Sequence, residues 1–296
     1  QAEDGIRDSV ASRGLGDVYK RQDYTNRGSI VTPLKDRIGS QIFTHYPKSI
    51  ELAREITQQE AKISKEDKAN ILVPNLAKDL LEEVAFTARK SEYVDAKSGV
   101  SARLTISAME NLMAAAKLRL IETDSKKTSI RLVDFMSIIP SITGKIELVY
   151  EGEQEGANEV AKLLIDSAVL VQFESLFPRI SKLEKEGLKT PYTDLIHWFD
   201  NNFIELNYTD TDDEFFSNLK SIKPLTSLVK DYAGKLSSQD QAFCMELVLW
   251  GLTINKKLDK SEKNTTYKFD SVGTVSYTHL RAHETLRYLV CRLLLE

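Results

Sequence analysis

The sequence predicts a mainly α fold with a remnant of α/β structure at its front. Three observations carry that expectation. Between residues 48 and 258 apolar residues recur at spacings of three and four, the signature of helices with one buried face. Only one clear β-type run, QIFTHY at 41–46, directly precedes a helical pattern, and a strand feeding a helix is half of an α/β unit. The 296 residues are 42% apolar with a formal net charge of −4, which allows one large or two ordinary globular domains.

The two ends do not read as protein. QAEDGIRD (1–8) is what caa gca gaa gac ggc ata cga gat encodes, a string that resembles a common sequencing-library adapter. LVCRLLL (289–295) is its reverse complement in another frame. SRGLGDVYKRQ (12–22) and VSYTHLRAHE (275–284) stand in the same relation to each other. Residues 1–22 and 275–296 are therefore expected to be translated adapter without native packing partners, and Asp23 to Thr274 to be the natural part.

Within that part each element has a local reason. The run 41–46 ends at Pro47, and 48–63 reads as a helix with Ile50, Ala53 and Ile56 inward. Pro74, a good first-turn residue, opens the next helix, with Leu76, Leu80, Val84 and Ala88 four apart. After a loop containing Gly99, Ser101 is the expected N-cap of a helix over 101–121, whose apolar residues at 102, 106, 109, 113, 116 and 120 make one stripe. TSIRL (128–132) and KIELVY (145–150) read as extended, with a short helix over 133–139 ended by Pro140. EGEQEG (151–156) reads as an acidic loop before a long helix to about 177, and the Lys- and Glu-rich stretch 179–189 as a hinge or exposed turn. Further helices are expected from Thr190-Pro191, from TDTDDE (209–214), from Pro224, and from Ser237 to about 258 with Phe243, Leu247, Gly251, Ile254 and Leu258 on one face.

Composition limits the chemistry. With the ends set aside, Cys244, His45 and His197 are the only remaining Cys and His residues. A lone cysteine in an apolar helix reads as packing and points to a reduced, cytoplasmic setting. The histidines have no ligand or triad partner at a useful spacing, and read as packing or surface residues. No apolar run is long enough to cross a bilayer, and the acidic balance argues against nucleic acid as a partner. Glu151, Glu153 and Glu155 read as solvated carboxylates, because a hard-cation site needs several oxygens to converge.

Three stretches, DYTNRGSIVTPLKDRIGSQI (23–42), KSGVSARLTISAMENL (97–112) and SITGKIELVYEGEQEG (141–156), resemble in that order the AAA+ ATPases of the magnesium-chelatase subunit I and MoxR-like group. The resemblance covers nearly all of 23–274 and implies an organisation: the end of an AAA+ core over 23–73, a helical lid over 74–140, and a C-terminal helical region over 141–274. The family's Walker A loop, Walker B acids and sensor-1 asparagine would precede Asp23.

The resemblance assigns two arginines. Asp36-Arg37 stands where the family has an arginine finger that reaches the γ-phosphate of ATP bound by the neighbouring subunit; a planar, permanently charged guanidinium suits phosphate oxygens. The family usually follows this dipeptide with an aromatic residue, and here Ile38 stands there. Arg103 matches the family's sensor-2 arginine, in the first turn of a helix where the dipole already favours an anion. On the residues alone, Arg37 reads as a surface ion pair, and Arg103 as the partner of a nearby carboxylate such as Glu92 or Asp95. Asn26 and Arg27 read as turn structure.

What the resemblance implies for function is a cytoplasmic ring-forming ATPase, a hexamer of identical subunits, using ATP and Mg²⁺. It implies a partner carrying a von Willebrand factor A domain. Its work would be remodelling of a partner protein or metal insertion, with remodelling favoured. The competing reading is a non-catalytic helical interaction module whose arginines only make salt bridges.

Overall fold

A computed structural model of the chain describes residues 37, 39, 40, 42, 44–96, 98–185, 190–263 and 265–272. The expectations for 1–22, 275–296, Asn26, Arg27, Asp36 and Ile38 lie outside these residues. The chain divides into two compact units, Gln1–Tyr46 and Pro47–Glu296.

In the first unit Arg37 lies exposed in a turn. Residues 42 and 44–46 are not in a strand, which corrects the β reading of 41–46. Ile42 is 86% exposed and Thr44, His45 and Tyr46 are exposed as well, so the described part of the run has no buried residue to favour a strand.

The second unit is helical with two small sheets. It begins with α1 (Ile50–Glu60), α2 (Lys65–Asn70), β1 (Ile71–Leu72) and α3 (Asn75–Ala88). Next come α4 (Arg103–Glu122), β2 (Thr128–Ser129), a 3-10 turn (Leu132–Ile138), α5 (Ile139–Thr143), α6 (Tyr150–Glu155) and α7 (Ala157–Leu176). The remainder is α8 (Ile180–Lys185), α9 (Thr193–Phe199), β3 (Ile204–Asn207), α10 (Asp212–Ser221), α11 (Lys223–Ala233), α12 (Ser238–Ile254), β4 (Leu258–Lys263) and β5 (Thr266–Ser271). A mainly helical fold with small sheets is thus shown. Among the described residues, β1 and β2 form a parallel pair, and β3-β5-β4 an antiparallel sheet.

One cluster of buried side chains runs from Ala61 to Phe269. At its centre α3 packs on α1, α4, α7 and α12. Its Leu76, Leu80, Val84 and Ala88 are all buried, as their four-residue spacing requires. Pro74 caps α3 in an extended conformation, so the helix loses no amide hydrogen bond to it. Leu76 N donates to Asp240 Oδ1 of α12 at 3.0 Å, and Gln172 Nε2 of α7 donates to Leu76 O at 2.8 Å. The first contact satisfies an open N–H at the start of α3, and the two together fix three helices to one another.

Several local expectations are corrected. In α1, Ala53 and Thr57 are buried while Ile56 is 40% exposed, because the buried stripe is displaced by one residue. In α4 the buried face is Leu104, Thr105, Ala108, Met109, Leu112, Met113, Ala116 and Arg119, whereas Ala102 is exposed and Ile106 and Leu120 are only partly buried. Pro140 lies in the first turn of α5 instead of ending a helix, the position where its missing N–H costs least. EGEQEG is not a loop: Tyr150–Glu155 is helical, ended by Gly156 at φ 91°, and Gly152 backs onto Tyr93 O too closely for a side chain. The last helix stops at Ile254, after which Lys256 takes φ 56° and Leu258 begins β4. TSIRL contains β2, and within 145–150 only Ile146 and Leu148 form isolated bridges, to Val100 and Val94.

Candidate functional site

Of the two arginines singled out in the sequence, Arg37 belongs to the unit Gln1–Tyr46 and Arg103 to the unit that begins at Pro47. Only Arg103 stands on a regular element, at the first position of α4. The local chain explains why the helix starts there. Gly99 at φ 71° turns the backbone, and Val100 is held by a bridge to Ile146. Ser101 then receives two of the first free N–H groups, Arg103 N on Oγ at 3.3 Å and Leu104 N on its carbonyl at 3.0 Å. By geometry the cap is Ala102, one residue later than expected, yet Ser101 supplies the capping oxygens.

The Arg103 side chain is exposed and makes no ion pair with any described residue. Neither carboxylate expected to neutralise it forms an ion pair with it among the described residues. Asp95 accepts from Ser98 Oγ at 2.7 Å and its own N–H goes to Glu147 O, while Glu92 forms no ion pair among the described residues. A cation at a helix N-terminus opposes the dipole, so this position is unfavourable unless an anion joins it. With Ser101 already occupying two backbone donors, the contact available to such an anion is chiefly the guanidinium.

Behind Arg103 the first turn of α4 is anchored by polar groups. Thr105 is hydrogen-bonded to Thr57 of α1 at 2.9 Å, and both face Glu82 of α3, which is only 3% exposed. Burial holds the Glu82 carboxyl above its ordinary range, against the opposing pull of the two hydroxyls. Among the described residues Glu82 Oε1 has no hydrogen-bond partner. Arg54 of α1 reaches Asp79 of α3 at 3.0 Å beside this group. The sequence signal that marks Glu82 is a carboxylate between Leu80-Leu81 and Val84-Ala85, on the apolar face of an otherwise regular helix.

A second buried cluster was also legible only as charges in apolar company. Arg119 of α4 pairs with Asp134, and Arg131 pairs with Asp212 at 2.9 Å with its guanidinium carbon 4.0 Å from the centre of the Phe215 ring. Thr128 Oγ1 links the pairs, accepting from Arg119 Nε and donating to Asp212. Glu246 of α12 receives Leu132 N at 2.9 Å; desolvation pushes its carboxyl up to about 8 despite the attraction of Arg131. These groups join α4, the 3-10 turn, α10 and α12, and they are arranged to hold elements together.

The remaining candidates have structural surroundings. Cys244 is fully buried, and burial pushes its thiol up to about 12, which removes it as a nucleophile. His45 Nδ1 lies 2.8 Å from Tyr46 O, and His197 Nδ1 lies 2.9 Å from Asp200 Oδ2 on an exposed helix end. Glu151, Glu153 and Glu155 are exposed on α6. Among the described residues no group of three or more His, Cys, Asp or Glu is placed to hold a metal ion, and no helix is long and apolar enough to cross a membrane.

In comparisons with known proteins, no family model, no curated protein and no solved structure matches the chain.

Proposed function

We propose that the chain is the C-terminal part of a ring-forming AAA+ ATPase of the MoxR-like and magnesium-chelatase subunit I kind, cytoplasmic and built of identical subunits. In this reading it couples ATP hydrolysis to remodelling of a partner protein or to metal insertion. The observation that carries it is Arg103: an exposed guanidinium on the first turn of a long helix, without a carboxylate partner among the described residues, in a position that calls for an anion. A nucleotide phosphate is the anion the KSGVSARL stretch implies.

The residues fit ATP and Mg²⁺ unequally. Arg103 has the charge and planar donor set to hold a phosphate oxygen, and Thr57, Thr105 and Glu82 fix the turn that carries it. For Mg²⁺ the described residues offer no cluster of oxygen ligands, so they do not fit the ion, and its ligands would have to come from elsewhere in the assembled protein. Arg37 is exposed, as a group acting on a neighbouring subunit must be. A von Willebrand factor A partner belongs to the same proposal.

The test is the coding sequence upstream of Asp23 in the source genome. A strand followed by G-x-x-x-x-G-K-[ST] supports the ATPase reading. An upstream region without that motif would leave the helical interaction module.

A further inference from the structure

We propose that the groove between α1, α2, β1 and the middle of α4 is a binding site for a small organic anion with a flexible apolar body, such as an acyl chain ending in a carboxylate or phosphate. The inference does not rest on the ATPase reading.

The groove encloses about 530 Å³, within the range of small-ligand sites. Its floor is apolar: Ile71, Met109 and Met113 are buried at 3%, 3% and 5% exposure, with Ile63 and Val73 beside them. Met109 and Met113 lie one turn apart on α4, and their unbranched thioethers adapt to the shape of a chain-like occupant.

The rim is of one sign. Lys68, Lys78 and Lys127 line the opening, and no Asp or Glu does. In a chain of net charge −4 this is a local reversal. Asp67, the neighbour of Lys68, is turned to Lys117 at 2.9 Å and to Ser64, so it does not neutralise the rim. Lys78 makes only a 3.4 Å contact to Asn75 Oδ1, and Lys68 and Lys127 form no ion pair among the described residues. Three cations around a low-dielectric floor focus a positive potential into the groove and exclude a cationic or zwitterionic occupant. An amphipathic anion satisfies both parts: its chain covers the methionines, and its head group meets the ammonium groups, whose own methylene stems continue the apolar wall.

A neighbouring cavity of about 420 Å³ shares Leu72, Lys127 and Thr128 with the groove but contains Asp212 beside Lys220. It therefore lacks the single-sign rim and serves as an internal control.

Isothermal titration of the full 296-residue chain with sodium decanoate below its micellar concentration tests the proposal. Saturable one-to-one binding is expected, with decanol and decyltrimethylammonium each binding at least about tenfold more weakly. Lys68→Gln/Lys127→Gln, two changes at exposed positions, should weaken decanoate about tenfold, the combined effect of two partly exposed charge contacts. Lys220→Gln should leave it within about twofold. Absence of saturable decanoate binding would overturn the proposal. So would equal affinity for decanol, or a Lys220→Gln effect as large as that of the double variant.

Discussion

Arg119 and Asp134 meet in a two-pronged ion pair inside the protein, Nη1 to Oδ1 at 2.6 Å and Nη2 to Oδ2 at 3.1 Å, with both side chains no more than 5% exposed. Asp134 also accepts the amide of Arg131, so it closes the 3-10 turn while neutralising the buried guanidinium of α4. Asp134→Ala leaves a buried guanidinium and a buried N–H unpaired, and should lower unfolding stability by about 3–5 kcal/mol. The double change Arg119→Met/Asp134→Leu should cost much less, because it removes both charges. Urea midpoints at constant slope measure both; additive losses would show that the pair does not act as a unit.

Glu246 gives the pH dependence a sign. Its folded-state value of about 8 lies above the ordinary 4.5, so the native protein holds a proton that the unfolded chain releases. Its stabilising contribution is complete below 4.5 and is lost as pH rises toward 8. Glu246→Gln keeps an oxygen for Leu132 N and removes the titration, and it should flatten the fall in the urea midpoint over this window. Equal slopes for the two proteins would assign the pH dependence to other groups.

Gly251 is a packing requirement. A Cβ there would lie 2.6 Å from Phe173 Cγ, where α12 crosses α7. Overpacking costs about 1–3 kcal/mol, and the helix preference of Ala over Gly returns roughly 1. Gly251→Ala should therefore be net destabilising, and Phe173→Leu in the same chain should relieve part of the strain. A higher melting temperature for Gly251→Ala would refute the close contact.

These cases show what the sequence could and could not disclose. Leu76, Leu80, Val84 and Ala88 gave α3 directly, because a fully apolar face repeats at helical spacing. The caps Ser237 and Thr211 likewise start α12 and α10 where the residue types suggested. Arg119 misled the reading of α4: its burial depends on Asp134, fifteen residues away and on another element, and periodicity alone treats an arginine as exposed. The β3-β5-β4 sheet escaped because LDKSEK, although it pairs with the strand that follows it, keeps little but Leu258 buried, and β3 meets β5 only from far along the chain. For the site, Arg103 was visible through its helix start, whereas Glu82 needed the Thr57-Thr105 contact to stand out.

Arg37 is tested by where its effect appears. If the ATPase proposal holds, Arg37→Ala in the whole protein should leave ATP binding nearly intact and reduce turnover on the order of 10³-fold, as loss of an arginine finger does. Mixing these subunits with others that keep Arg37 but carry a disabled P-loop should restore some hydrolysis. Wild-type turnover by Arg37→Ala, or no rescue in mixed rings, would make Arg37 a surface arginine.

The most direct measurement is the ATP affinity of the whole protein with and without the Arg103 guanidinium. Arg103→Ala should raise Kd by about tenfold to a hundredfold, the range for losing a charged hydrogen bond, in a defect that subunit mixing does not repair. Glu92→Ala, which removes the carboxylate once expected to pair with Arg103, should leave Kd unchanged. An Arg103→Ala protein that binds ATP as tightly as the wild type would contradict the nucleotide reading of α4.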